Sequence, residues 1–264
     1  MIKQKNNFYW FKLNGLLREF IVRGGCKLLA NHYIVNEYPK SGSSWLGQMV
    51  AEALELPFPR NRLPMSSSSI MHGHYLNPWN MKDTCILWRD GRDIIVSQYY
   101  HSLFINEKGN KRLVELTREK FKVDNYEDIH TNLPKFIKLM YKDKVSPRFS
   151  WSEFVDSWGH RDVVHVKYED LRTDTAKELA RVVKGLSGKE LDEQKVTELV
   201  DKYSFEKQSG RKPGEESTSS FLRKGIVGDW KNQFSQEAKE VFEHYAGGAL
   251  LKLGYEKDNS WVNS

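Results

Sequence analysis

The chain has 264 residues, 39% hydrophobic and 29% charged, enough for one large α/β domain with a real core. That balance excludes wholesale disorder and a membrane-spanning bundle. A formal charge of +6 fits a protein that handles anions, without saying which anion. The two cysteines, Cys26 and Cys85, have no partner at CxxC or HxxxH spacing, which argues against a zinc site or a disulfide scaffold. A reducing, cytoplasmic setting is the expectation.

In chain order, the first 32 residues form a basic and aromatic segment whose apolar run is interrupted by Lys12, Arg18 and Arg23, so no transmembrane span or cleavable signal is expected there. Phe8 to Leu29 reads as a helix, packed on its own domain or lying on a membrane surface. Tyr33-Ile34-Val35 is a short strand, followed by a turn rich in Ser and Gly and by a helix from Trp45 to Leu56. The serine run Ser66 to Ser69 precedes a strand within Ile70 to Leu76. Cys85 to Trp88 is a further strand, and Ile94, Ile95, Gln98 and Tyr99 then keep helical spacing.

Residues 106–148 are polar with scattered aromatics and read as helices and loops inserted between core strands, a place where insertions often line a binding pocket. Val163 to Val166 is the last strand, and Thr173 to Gly185 and Asp192 to Tyr203 are helices. Strands alternating with helices imply a single α/β domain over residues 33–256, with a central, mostly parallel sheet flanked by helices.

The turn Tyr38-Pro39-Lys40-Ser41-Gly42-Ser43-Ser44-Trp45 ends a strand and opens a helix, where backbone N–H groups converge and the helix dipole favours negative charge. It is not a Walker loop, because Lys40 precedes Gly42 and a second glycine is missing. Gly42 permits close backbone approach, Ser43 and Ser44 offer hydroxyls, and Lys40 offers a point charge.

This turn resembles the YPKSGTTW loop that holds the 5′-phosphosulfate end of 3′-phosphoadenosine 5′-phosphosulfate (PAPS) in the PAPS-dependent sulfotransferase family. Three further segments agree in order. Trp88 to His101 is similar to the family's RNPRDVAVSYYH, Tyr168-Glu169-Asp170-Leu171 to its YEDL, and Arg223 to Asn232 to its RKGxxGDWKN. The resemblance runs from about Tyr33 to Phe234 and implies the P-loop-like sulfotransferase fold.

By that resemblance Lys40, Ser41, Gly42, Ser43 and Ser44 hold the phosphosulfate end, and Arg89, Ser97, Arg223, Lys224 and Gly225 hold the 3′-phosphate. Trp45 stacks on adenine, Tyr168 and Ser204 approach its edge, and Ser97 restrains Lys40 before acceptor binding. PAPS is the co-substrate, 3′,5′-ADP the product, and no metal is needed. Arg92 and Lys231 are read as cations of a solvated face, and His101, His160 and His165 as structural or surface residues.

The family's Lys-Thr-His segment, whose His is the catalytic base, corresponds to Ile70-Met71-His72-Gly73-His74, where the Lys is absent. Matching Gly73 to the small middle residue favours His74, while the shorter distance to Arg89 keeps His72 open. A spacing of two on a strand puts both on one face.

The expected reaction is in-line transfer of a sulfuryl group to a small-molecule, lipid or glycan acceptor, with no nucleic-acid partner. Two alternatives stand beside it: a nucleotide kinase-like phosphoryl transferase, for which a Walker loop and Mg²⁺ ligands are not evident, and a non-catalytic nucleotide or sulfated-ligand binder that has lost the base.

Overall fold

The computed structural model describes residues 8–25, 28–60, 67–107, 109–217, 220 and 222–263. Cys26, Ser66 and Phe221 lie outside them. In chain order the elements are α1 (Phe8–Val22), β1 (His32–Glu37), α2 (Ser43–Ala53), β2 (Ser69–Gly73), β3 (Thr84–Trp88), α3 (Gly91–Leu103), α4 (Lys111–Lys120) and α5 (Ile129–Lys142). Next come α6 (Trp151–Trp158), β4 (Val164–Lys167), α7 (Tyr168–Thr173), α8 (Thr175–Ser187), α9 (Glu193–Lys202), α10 (Phe205–Ser209) and α11 (Gln236–Lys252). Short 3-10 turns cover Ile105–Glu107, Asp229–Asn232 and Asn259–Asn263.

The chain divides into two compact units. The first comprises Met1–Glu37, Gly42–Leu87 and Asp162–Tyr203. Its sheet has the order β2-β1-β3-β4, and β1 pairs in parallel with both β2 and β3. The expected α/β class with a parallel sheet is therefore what forms. Helix α2 buries Leu46, Met49 and Val50, an i, i+3, i+4 stripe, in a core with Val35, Ile70, Cys85, Leu87, Val166 and Leu179. Burial holds the Cys85 thiol well above its usual range, up to about 12, so it is inert packing.

From β1 the chain moves to β2 on one side and then crosses to β3 on the other, so the strand order switches direction at β1. Ligands of such sheets bind beyond the strand carboxyl ends at that switch, which is where the segment after β1 begins. On α1, Ile21 and Val22 are buried while Leu13, Leu16, Leu17 and Phe20 are exposed. Among the described residues no helix is long and apolar enough to cross a membrane.

The second unit comprises Tyr38–Ser41, Trp88–Arg161 and Ser204–Ser264. Residues 106–148 form α4 and α5 and pack on α3 through an aromatic core in which Tyr99, Phe121 and Phe136 are fully buried. Helix α6 opens on a capping box between Ser150 and Glu153, and α11 on the Ser235 hydroxyl.

Arg92 departs from the solvated-face expectation. It is only 3% exposed, pairs with Asp90 at 2.7 Å and with Glu256, and lies 3.9 Å from the Trp230 ring centroid and 4.6 Å from that of Trp261. Two tryptophans far along the chain supply a surface that a guanidinium covers with its face while its edge finds carboxylates. Arg92→Leu strips the counter-charge from buried Asp90 and is expected to cost about 3–5 kcal/mol in urea unfolding, against about 0.5 kcal/mol for a surface change. Lys231 is exposed, as a solvated cation should be.

Candidate active site

In the first unit, β1 ends at Glu37, and α2 starts at Ser43 after Gly42, whose φ of 113° lies in the left-handed region. A side chain at 42 would also meet the Tyr168 ring at 3.0 Å, so glycine is required here twice over. No side chain at Gly42 caps α2. Instead the Glu37 carboxylate, 4% exposed, accepts the Ser43 backbone N–H at 2.6 Å. The Ser43 hydroxyl is buried and has no hydrogen-bond partner among the described residues. Ser44 accepts from Arg60 at 3.1 Å.

Trp45 donates its indole N–H to the Tyr203 carbonyl at 2.8 Å and meets Tyr168 edge-on, with ring centroids 6.0 Å apart. The Arg172 guanidinium lies 5.7 Å from the Trp45 ring centroid. An aromatic and cationic wall thus adjoins the first turn of α2.

The two histidines stay neighbours, their rings meeting edge-on with centroids 6.0 Å apart, but their settings differ. β2 ends at Gly73, because buried Asn36 grips Tyr75 at both backbone groups, donating to its carbonyl at 3.0 Å and accepting its N–H at 2.8 Å. His72 stays on the strand, 9% exposed, packed edge-on against Phe58. Burial, reinforced by repulsion from His74, Arg18 and Arg60, pushes His72 down to about 3, so it is neutral and a weak base at neutral pH.

His74 lies beyond the strand and is exposed, and its Nδ1 is 3.1 Å from the Glu37 carbonyl oxygen. A carbonyl only accepts, so Nδ1 carries the proton and the lone pair of the neutral ring is on Nε2. Glu37 therefore touches both His74 and the start of α2.

In the second unit, Lys40 has φ 81°, a left-handed conformation that costs a non-glycine residue about 1–3 kcal/mol and clusters at functional sites. Its carbonyl accepts from Arg89 Nη1 at 3.0 Å. Ser41, expected to hold nucleotide, is buried and turned into its own turn, donating its hydroxyl to the Tyr38 carbonyl at 2.8 Å.

Asp90 caps α3 by accepting the Arg92 N–H, and Ser97 lies half-buried further along that helix. Asp93, one turn into α3, accepts the N–H groups of Gly228 at 2.8 Å and Trp230 at 3.0 Å and stands 3.8 Å from Arg89. It thereby fastens the turn after Gly225 to the helix that carries Ser97. Arg223 pairs with Glu216 and Asp229 and lies 4.8 Å from the Tyr100 ring centroid. Lys224 reaches Asp229 at 2.7 Å.

Burial alone would raise Asp229, but hydrogen bonds from Lys224 and Arg223 outweigh it and hold its carboxyl below the usual range. At Gly225, φ 64° and a Phe205 ring that a Cβ would approach to 2.4 Å exclude any side chain. Ser204 caps α10, its hydroxyl accepting the Lys207 N–H. Each basic side chain expected at the 3′-phosphate has an internal carboxylate near it.

A sulfotransferase-domain profile matches residues 84–254, more than half of the chain. The chain belongs to the sulfotransferase-domain family. Rat sulfotransferase 1E1 is 27% identical over 80% of this chain and 81% of its own length, and human sulfotransferase 1E1 is 26% identical over 80% and 81%. The fold is similar to that of mouse sulfotransferase SULT7A1, solved as a complex with PAP, at a TM-score of 0.62 with 17% identity over 92% of this chain and 94% of that one.

As a member of this family the chain is a sulfuryl transferase, and the matched residues include Arg89, Ser97, Tyr168, Ser204 and Arg223 to Gly225. The turn at 38–45 and both histidines precede them. Sequence reasoning passed over Asn36, Glu37, Asp93, Glu216 and Asp229. The signal for the first two was a pair of polar residues closing an apolar strand run. For Asp93 and Asp229 it was an acidic residue inside each basic motif.

Proposed function

We propose that the chain transfers the sulfuryl group of PAPS to an acceptor hydroxyl or amine and releases 3′,5′-ADP, with His74 as the base. The observation that carries this is the Nδ1 hydrogen bond of His74 to the Glu37 carbonyl. It leaves Nε2 as the acceptor of a proton on an exposed ring that shares Glu37 with the start of α2. His72 supports a packing role instead, being buried and held neutral.

In the reaction the acceptor oxygen or nitrogen attacks sulfur, its proton passes to His74 Nε2, and the bond from sulfur to the 5′-phosphate oxygen breaks. Charge then grows on that phosphate. The ammonium of Lys40 and the first amides of α2 are suited to that charge, and the Ser43 hydroxyl, buried without a partner among the described residues, to a phosphate oxygen. Arg89, Ser97, Arg223 and Lys224 suit the 3′-phosphate, and Trp45 and Tyr168 the base.

The acceptor class proposed is a small molecule. The direct test incubates the purified protein with sulfur-35-labelled PAPS, a chelator and a panel of phenols, alcohols and amines. Label on an acceptor is the expected result, and no labelled product from any of them counts against the reading.

A further inference from the structure

A carboxylate buried to 4% exposure at a helix N-terminus is an anion already seated where an anion would bind. The Glu37 carboxylate takes the Ser43 N–H at 2.6 Å, while Ser43 is 1% exposed and its hydroxyl has no hydrogen-bond partner among the described residues. An amide N–H that a phosphate or sulfonate oxygen would seek is thus held by an internal carboxylate, at the positive end of the 11-residue helix α2. Two anions cannot share that donor without repulsion in a poorly solvated site.

We infer that Glu37 is an affinity-setting residue that competes with the 5′ end of the nucleotide for the first turn of α2. The inference rests on the reading that this turn takes the 5′-phosphosulfate. Binding of the nucleotide displaces the carboxylate from Ser43, and departure of the product is assisted by its return. The residue that orients His74 through its carbonyl thereby also limits how tightly the nucleotide is held through its side chain.

The test is calorimetric titration of the wild-type chain and Glu37→Gln with 3′,5′-ADP and with adenosine 3′-monophosphate, which lacks the 5′ group. Gln keeps an oxygen that can accept from Ser43 and removes the charge. The expected result is 3′,5′-ADP binding about tenfold tighter in Glu37→Gln, with adenosine 3′-monophosphate unchanged. A residue that merely caps α2 would leave affinity unchanged or weaken it, and either outcome overturns the inference, as does equal tightening for both ligands.

Should Glu37→Gln fail to fold, Glu37→Asp withdraws the carboxylate by one methylene and is expected to show a smaller gain in the same direction. A wild-type chain that does not bind 3′,5′-ADP overturns the nucleotide reading along with this one. Wild-type binding without a gain in the variants overturns only this one.

Discussion

His74→Ala is expected to lower kcat for sulfuryl transfer by about 10²–10⁴-fold, the usual worth of a positioned general base, while 3′,5′-ADP binds as before. His74 is exposed, so its removal opens no cavity, and its hydrogen bond to the Glu37 carbonyl is replaceable by water. His72→Gln should leave kcat within a few-fold and lower thermal stability, because that ring is wedged against Phe58 in the core. Steady-state kinetics of both variants with one acceptor decides the assignment. A loss confined to His72→Gln would reverse it.

Lys40→Ala is expected to lower kcat by about 10²–10³-fold, the effect of deleting one preorganised charge at a departing oxyanion. The substitution leaves the backbone cost where it was, since alanine at φ 81° is as strained as lysine, and the carbonyl still accepts from Arg89. The unfolding midpoint should therefore hold while turnover falls. Lys40→Arg should recover only part of the rate, because a planar fork cannot take the place of a compact ammonium in this turn. Turnover of Lys40→Ala within a few-fold of the wild type would remove Lys40 from the chemistry.

What the sequence disclosed follows from range. The strand at 32–37, the turn and α2 were legible because an apolar run, a glycine that must be left-handed and a helical stripe are all local signals. The capping box Ser150-x-x-Glu153 that opens α6 was equally local and was passed over. That His72 is buried while His74 is exposed was not legible, because β2 stops at Gly73, and it stops because Asn36, 39 residues before Tyr75, grips that residue from the neighbouring strand. No periodicity encodes such a grip.

Arg92 failed for the same reason at longer range. Its burial depends on Trp230, Glu256 and Trp261, more than a hundred residues away. The basic residues were legible as anion binders, but the carboxylates that face them were not, since Asp229 and Glu216 pair with Arg223 only once the turn has closed. The Glu37 contact with Ser43 is short in sequence yet equally hidden, because it needs the turn's left-handed residues to bring position 43 back to position 37.

The most direct test of the account is calorimetric titration of the purified chain with 3′,5′-ADP in the absence of metal, set against ATP and 5′-AMP, and repeated on Arg89→Ala. Selective binding of 3′,5′-ADP, abolished in Arg89→Ala, is the expected result. No binding, or a preference for ATP that requires Mg²⁺, would contradict it.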